Sequence, residues 1–390
     1  MRRQRKKVAL IYDATLSYDV QIMSGVAAYA KQLDEWEIFI EELALHEQRL
    51  PAFTGWRGDG VIADFDNHEV ARRLLASGLP TVAIGGGYAN PPEVVGVPFV
   101  LTDNPAISRL AFGHLRGLSF KNFAFFGYTP NAVHGWSHER ESSFSALANA
   151  AGGSFASFRA LPNTAENWQK FANRALRWLR TLPKPVGVLA DSDKCARLLL
   201  EVCHSAEICV PAEIAVVGVD NDLLLCEISS PSLTSIEQGT FEIGRRAADI
   251  LHHLMQGIPC DTLRTIVPPK RVVARASTDT LASADTDAAR AMYIIREHAC
   301  HGLTVQKICR EVERSRTGLE ERFISSFGIT LAKAITRARL NRAHELILGS
   351  SSPLKEIAER SGFRSIQHMT TLFGEHYMQT PAALRKTRQI

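Results

Sequence analysis

Asp13, Asp64, Asp103, Asp191 and Asp220 each close a short apolar run, and Asn104, Ser192 and Asn221 follow three of them directly. Arg140 lies on a later amphipathic stretch, and Tyr12, Tyr18, Phe126 and Trp136 are aromatics close by. A hydroxyl group both donates and accepts hydrogen bonds, so carboxylates and amides fix it from one side and a guanidinium from the other. Aromatic faces cover the apolar C–H face of a ring. The set suits a neutral sugar. Phosphate is a poorer fit, because the glycine run Ile84-Gly85-Gly86-Gly87-Tyr88 leads to Asn90-Pro91-Pro92 and not to a helix. It matches neither the dinucleotide nor the nucleotide phosphate loop. Asp13, Asp103 and Asp220 could equally be N-caps of the helices they precede, and the two roles are compatible.

Positioning such residues takes strands that end together. Lys7–Tyr12, Trp36–Glu41, Asp59–Asp64, Thr81–Ile84, Phe99–Thr102, Lys121–Phe126, Val186–Ala190 and Glu213–Val219 read as strands. Between them Tyr18–Leu33, Glu69–Ser77, Ala106–Arg116, His138–Ala150, Ala165–Leu182, Ser192–Ala206 and Phe241–Gln256 read as helices. Strands apolar nearly throughout, alternating with helices, imply parallel sheets covered on both faces. Ligands of such sheets bind beyond the carboxyl ends of the strands, where the aspartates would line one crevice.

The remaining chemistry is sparse. His298, His301, His344, His368 and His376 lack metal-ligand spacing, and the seven cysteines form no C-x-x-C pair. Neither a metal, a cofactor nor catalysis is expected, and the thiols suit a reducing cytoplasm. The basic start, Met1 to Lys7, is followed only by the apolar run Val8–Tyr12, too short for an export signal.

Charge divides the 390 residues unevenly. Residues 285–390 hold 17 Lys/Arg against 11 Asp/Glu, a net of +6, whereas residues 8–284 come to −7. A basic end on an acidic body points to a polyanion such as DNA. That end reads as all helix: Ala288–Cys300, Val305–Val312, Arg316–Phe327, Leu331–Leu348, Leu354–Arg360 and Ser365–His376. Two short-helix pairs turn at Glu313-Arg314-Ser315 and at Ser361-Gly362-Phe363, with Gly362 at the positive-φ end of its helix and Phe363 plugging the angle. Leu319-x-x-Arg322-Phe323 is echoed by Met369-x-x-Leu372-Phe373, so the unit is duplicated. Residues 277–287, small and polar without apolar periodicity, read as a linker between domains at 1–276 and 288–390.

Family resemblances agree with this reading. Val216-Val217-Gly218-Val219-Asp220-Asn221-Asp222, Ser230-Pro231-Ser232-Leu233-Thr234-Ser235-Ile236, Gly244-Arg245-Arg246-Ala247-Ala248, Thr102-Asp103-Asn104 and Arg140-Glu141-Ser142-Ser143-Phe144 resemble blocks of LacI-type sugar sensors, relatives of periplasmic sugar-binding proteins. The resemblance implies an α/β sensor of two Rossmann-like subdomains with effector between them. It carries effector positions onto Asp13, Asp103, Arg140, Asp191, Asp220, Asn221 and Gln238, beside the aromatics Tyr18 and Trp136. LacI-type repressors place their DNA head before the sensor. Only six residues precede the first strand here, so the reader is expected at the other end.

There, Ile308, Ser315-Arg316, Leu319, Arg322-Phe323, Phe327-Gly328, Arg339-Leu340, Ala343, Ile357-Ala358, Gly362-Phe363, Ser365, Phe373 and Thr380-Pro381-Ala382-Ala383-Leu384-Arg385 resemble the AraC-type DNA-binding domain with its two helix-turn-helix motifs. Gln379, Met369 and Thr371 depart from the family's usual Gly, Phe and Arg. By position, base contacts are expected from Arg316, Thr317, Glu320 and Glu321 in the first motif. In the second they are expected from Arg364, Ser365, Gln367, His368 and Thr371; phosphate contact is the alternative role. The sensor-then-reader order, with Glu35–Glu42, Gly58–Asp66, Ala165–Gln169 and Val267–Pro269, resembles sugar-responsive regulators built in that order. This implies a dimeric activator of pentose catabolism and uptake genes that responds to D-xylose and binds double-stranded promoter DNA, with RNA polymerase a further partner. The residues themselves also admit another pentose, and repression.

Overall fold

The computed structural model describes residues 5–42, 57–66, 68–85, 96–128, 135–160, 168–279, 285–350, 352–377 and 379–387. Gly86, Gly87 and Tyr88 of the glycine run, residues 165–167 of one expected helix, and residues 280–284 of the expected linker lie outside them. The chain divides into two compact units, residues 1–206 with 215–279, and residues 207–214 with 280–390.

The first unit has two lobes. In one, β1 (Lys6–Tyr12), β2 (Trp36–Glu42), β3 (Gly60–Asp64), β4 (Thr81–Ile84), β5 (Phe99–Thr102) and β11 (Arg264–Val267) form a parallel sheet in the order β11-β5-β4-β3-β1-β2. Successive residues point to opposite faces of a strand. Val8, Leu10, Ile62, Val82 and Val100 therefore meet α1 (Ser17–Leu33) and α8 (Thr240–Met255), while Ala9, Ile11, Val61, Ala63 and Leu101 meet Ala71 and Leu74 of α2 (His68–Ser77). Both faces are dry, which is why these runs are apolar without alternation. Helices α1 and α8 cross backbone to backbone: a Cβ on Gly25 would overlap the Phe241 carbonyl, and one on Gly244 the Ile22 carbonyl.

The other lobe repeats the plan with β6 (Asn122–Tyr128), β7 (Ser154–Ala160), β8 (Val186–Ala190), β9 (Ile214–Val219), β10 (Thr234–Glu237) and β12 (Arg271–Val273), ordered β12-β10-β9-β8-β6-β7 with β12 antiparallel to β10. Its helices are α3 (Asn104–Gly117), α4 (Gly135–Ala150), α5 (Trp168–Thr181), α6 (Asp193–Ser205) and α7 (Leu223–Ile228). The chain passes between lobes at Asp103, at Gln238-Gly239 and at residues 268–270, each just beyond the carboxyl end of a strand. The sequence reading omitted β7, β10, β11, β12 and α7. Four of these span six residues or fewer, too short for a periodicity to register, and β7, β11 and β12 lie at sheet edges.

The second unit is helical: α9 (Thr286–His298), α10 (Val305–Glu311), α11 (Arg316–Phe327), α12 (Leu331–Gly349), α13 (Leu354–Arg360), α14 (Ile366–Tyr377) and the unforeseen α15 (Pro381–Thr387). It has two cores. Ile294, Ile308, Leu319, Phe323 and Leu331 build one; Leu340, Ile347, Ile357, Phe363, Met369 and Phe373 build the other. Residues 207–214 belong to this unit through Cys209 and Ala212, which pack on Ala289 of α9. The segment expected as linker is partly structured. Ser277 and Thr278 are buried, and Asp285 caps α9 by accepting the Asp287 and Ala288 N–H groups at 3.0 Å. Its polar residues are there to form hydrogen bonds and a cap, which composition alone does not distinguish from solvation.

Gly362 sits at φ +76°, and a Cβ there would lie 2.7 Å from the Cα of Cys300. Both facts exclude a side chain. Gly362→Ala is expected to cost about 2 kcal/mol or more of stability in the second unit, from backbone strain plus overlap. Denaturant unfolding of the variant checks this.

Candidate functional site

The strand ends of the second lobe meet at a hydrogen-bonded string running through two of the three crossings. Arg140, on α4, is 4% exposed; its Nε donates to Asn104 Oδ1 at 2.8 Å, its Nη1 to the Asp191 carbonyl, and its Nη2 to Gln238 Oε1 at 3.5 Å. Gln238 Nε2 donates in turn to Asp220 Oδ1 at 2.6 Å. Trp136 lies one helical turn before Arg140, and its ring covers the guanidinium at 4.8 Å. Arg140, Gln238 and Asp220 thus share one chain of polar contacts.

Other expected residues take different places. The Asp191 carboxylate is buried and used three times over, accepting from Tyr128 N and Ser137 Oγ at 2.7 Å and from Ser192 Oγ at 3.0 Å. It pins β6, α4 and the start of α6 beneath the site. Asp103 is the N-cap of α3, accepting from Ala106 N at 2.7 Å, with Arg109 3.7 Å away. Asp13 and Asp220 do not cap helices; Asp222 caps α7. Asn221 accepts from Arg275 Nη2 at 2.9 Å and donates its N–H to Ser235 Oγ at 3.0 Å. Tyr18 Oη is 3.0 Å from Thr102 Oγ1. Of the flanking aromatics, Tyr12 belongs to the first-lobe core and Phe126 stacks on Phe158 inside the second.

The first lobe contributes carboxylates. Asp13 is 3% exposed; its Oδ1 accepts from Thr15 N and Oγ1, and its Oδ2 is buried without a hydrogen-bond partner. Asp19, Asp64 and Asp66 surround it. Sequence reading missed Asp19, Ser17 and Gln21; Ser17 and Gln21 share a face of α1 by their i,i+4 spacing, whereas Asp19 points away to accept from Asp13 N at 2.9 Å. Ser17 donates to Asp222, and Gln21 Nε2 to the Asp220 carbonyl at 3.2 Å, so α1 bridges the lobes.

Crowded carboxylates resist ionisation. Asp64 and Asp220 keep some surface open but are poorly solvated: burial pushes both up to about 7, with the Asp13 charge adding at Asp64 and Arg140 opposing at Asp220. Burial likewise raises Asp19 and Asp193. A folded-state value above the unfolded one means the native state binds more protons, so stability falls as pH rises from about 4 through about 7. His114, lowered by burial, works in the opposite sense. Asp64→Asn, which keeps the acceptor for Asp66 N, is therefore expected to melt higher than the parent at pH 8 and to differ least at pH 5. Thermal melts of the ligand-free protein across that range test it.

In the second unit, Arg316, Thr317 and Glu321 are exposed on α11, whereas Glu320 is half-buried and its Oε1 accepts from Leu331 N at 3.1 Å, holding the start of α12. Arg364, Ser365, Gln367, His368 and Thr371 are all exposed at α14, opposite the buried Met369 and Phe373. Ser365 Oγ also caps α14, accepting from His368 N at 3.2 Å. The 19 residues of α12 span about 28 Å, near the roughly 34 Å between successive major-groove faces. Arg339 fastens α12 to α9, donating to the Ala299 and Leu303 carbonyls at 2.8 and 3.0 Å.

Among the described residues no group of three or more His, Cys, Asp or Glu could hold a metal ion, and no helix is long and apolar enough to cross a membrane. Three family models match the chain: an XylR N-terminal domain at residues 7–105, a periplasmic binding protein-like domain at 112–278 and a helix-turn-helix domain at 308–387. The chain is 35% identical to the xylose operon regulatory protein of Escherichia coli (strain K12) over 386 residues, covering 99% of this chain and 98% of that one. It is 34% identical to the protein of the same name from Haemophilus influenzae, covering 99% of both. A solved structure of the xylose-binding transcription activator xylR superposes with a TM-score of 0.87 at 34% identity, covering 99% of each chain.

Proposed function

Because this chain belongs to the family of xylose operon regulatory proteins, we propose that it is a D-xylose-dependent activator of pentose catabolism and transport genes, acting as a dimer on promoter DNA. The observation that carries the reading is the string Asn104–Arg140–Gln238–Asp220 threaded through the lobe crossings. A pentose held there by Asp220 and Arg140 from the second lobe, and by Asp13 from the first, gains most of its hydrogen bonds when the lobes are closed. The ligand then shifts a pre-existing equilibrium. Arg316, Thr317 and Glu321 read bases in one major-groove segment, and Arg364, Gln367, His368 and Thr371 in the next. Asp103, Asp191, Glu320 and Ser365 hold these surfaces in place. The protein catalyses no reaction, works in the cytoplasm and contacts RNA polymerase from its DNA-bound position.

The test is calorimetric titration of D-xylose, L-arabinose and D-ribose into the full chain, with DNA-binding measurements with and without the bound sugar. D-xylose is expected to give heat and to alter affinity or footprint on a pentose-gene promoter. Identical DNA binding in both states rejects the reading. The net charge of +6 on residues 285–390 further predicts that affinity falls steeply with salt, because binding releases condensed counterions.

A further inference from the structure

The first unit ends in a segment, Arg275–Asp279, that is knitted into the lobe carrying Asp220. Ser277 Oγ donates to the Val216 carbonyl at 2.6 Å and accepts from Thr234 N at 2.8 Å. Thr278 Oγ1 lies 2.8 Å from both Thr234 Oγ1 and His114 Nε2. From the head of this segment one side chain reaches back to the candidate site. Arg275, 11% exposed in its side chain, donates from Nη2 to Asn221 Oδ1 at 2.9 Å, from Nη1 to the Leu233 carbonyl at 3.0 Å and from Nε to Glu227 at 3.1 Å. Its own N–H is bound by Thr234 Oγ1 at 2.7 Å.

The turn it grips is strained. Asp220 has φ +117° and Asn221 φ +50°, backbone angles held by their surroundings; the second is common for asparagine, the first is rare for any residue with a side chain. Five contacts impose them here: Gln238 on Asp220 Oδ1, Gln21 on the Asp220 carbonyl, Ser235 on Asn221 N, Asp193 on Asp222 N, and Arg275 on Asn221. A sugar hydroxyl that engages the Asp220 carboxylate beside Gln238 adds a further contact to this turn. The turn has a reason to settle differently with and without ligand, and the planar guanidinium passes that difference to the segment from which the chain continues to α9.

We propose that Arg275 is the positioning residue that couples occupancy of Asp220 to DNA reading. This rests on the pentose-regulator reading above. Coupling between two sites is a measurable free energy and is reciprocal.

The experiment uses the full chain and a pentose-gene promoter fragment, measuring DNA affinity by fluorescence anisotropy with and without saturating D-xylose, and D-xylose affinity by calorimetry. In the parent the sugar is expected to change DNA affinity by about tenfold or more. In Arg275→Lys, whose single ammonium cannot serve Asn221, Leu233 and Glu227 together, and in Arg275→Ala, that ratio is expected to fall within about twofold of unity. D-xylose affinity in the absence of DNA should stay within about threefold of the parent, and DNA should no longer alter it. Where Arg275→Ala fails to fold, Arg275→Lys carries the test. A parental ratio in the folded variants overturns the proposal. Loss of D-xylose binding in a folded variant overturns it too, because Arg275 would then belong to the site. A parent chain that gives no heat with D-xylose is a different failure, that of the functional reading itself.

Discussion

Asp220→Asn is expected to weaken D-xylose binding by about 100-fold or more, a loss of about 2.7 kcal/mol. Asp220 accepts from Gln238, keeps part of its surface open and lies within the field of Arg140. Asp191, its neighbour in the same crevice, is committed to three protein donors and has little left to offer. Measured at pH 8, where the carboxylate is ionised, a charge-assisted hydrogen bond contributes about 1.5–3 kcal/mol, and the amide keeps an acceptor for Gln238 but turns an N–H donor where the second carboxylate oxygen stood. Asparagine tolerates positive φ better than most residues, so the φ +117° turn is preserved and the loss reports on binding. Asp191→Asn should behave in the opposite way, lowering the melting temperature first. Calorimetry and melts on the two variants separate the roles; parental D-xylose affinity in Asp220→Asn would place the site elsewhere.

Phe373→Ala is expected to destabilise the second helix-turn-helix by about 3–5 kcal/mol while leaving the first folded. Phe373 is fully buried among Leu340, Ile357, Phe363 and Met369, and Phe323 plays the same part in a separate cluster with Ile308 and Leu319. The two cores have α12 in common, with Leu331 and Ile335 in one and Leu340 and Ile347 in the other. Truncating one phenylalanine therefore opens a cavity in one motif only. Hydrogen exchange should show lost protection confined to α13, α14 and α15, and a promoter footprint should shrink to the part that α11 contacts. Phe323→Ala should give the complementary pattern. Loss of protection throughout the helical unit would mean one core, not two.

Strands β1, β4, β5 and β8 were readable to within a residue because burial on both faces demands an unbroken apolar run, and no other short element does. The two helix-turn-helix motifs were readable because Ser315, Gly328 and Gly362 are dictated locally, by an N-cap and two positive-φ ends. Asp220, at a strand end, and Arg140, on a later helix, were nominated by residue type and Gln238 by resemblance; their meeting through Oε1 and Nε2 of one glutamine, 98 residues apart at the extremes, follows from the lobe crossings.

The sequence pattern determined that aspartates would stand at the strand ends, that the basic end would be a helix-turn-helix unit, and that phenylalanines would fill two repeated cores. These follow from periodicity and charge, which are local. Which aspartate stays available was decided by folding: Asp191 spends its oxygens on neighbouring N–H and O–H groups, Asp103 gives one oxygen to the α3 cap, and Asp13 Oδ2 is left without a donor. The identity of Asn104 and Gln21 as parts of the same network was likewise set only in three dimensions, as was the reach of Arg275 to Asn221. A hydrogen bond is made between groups that the backbone brings within about 3 Å, and no spacing along the chain records that distance.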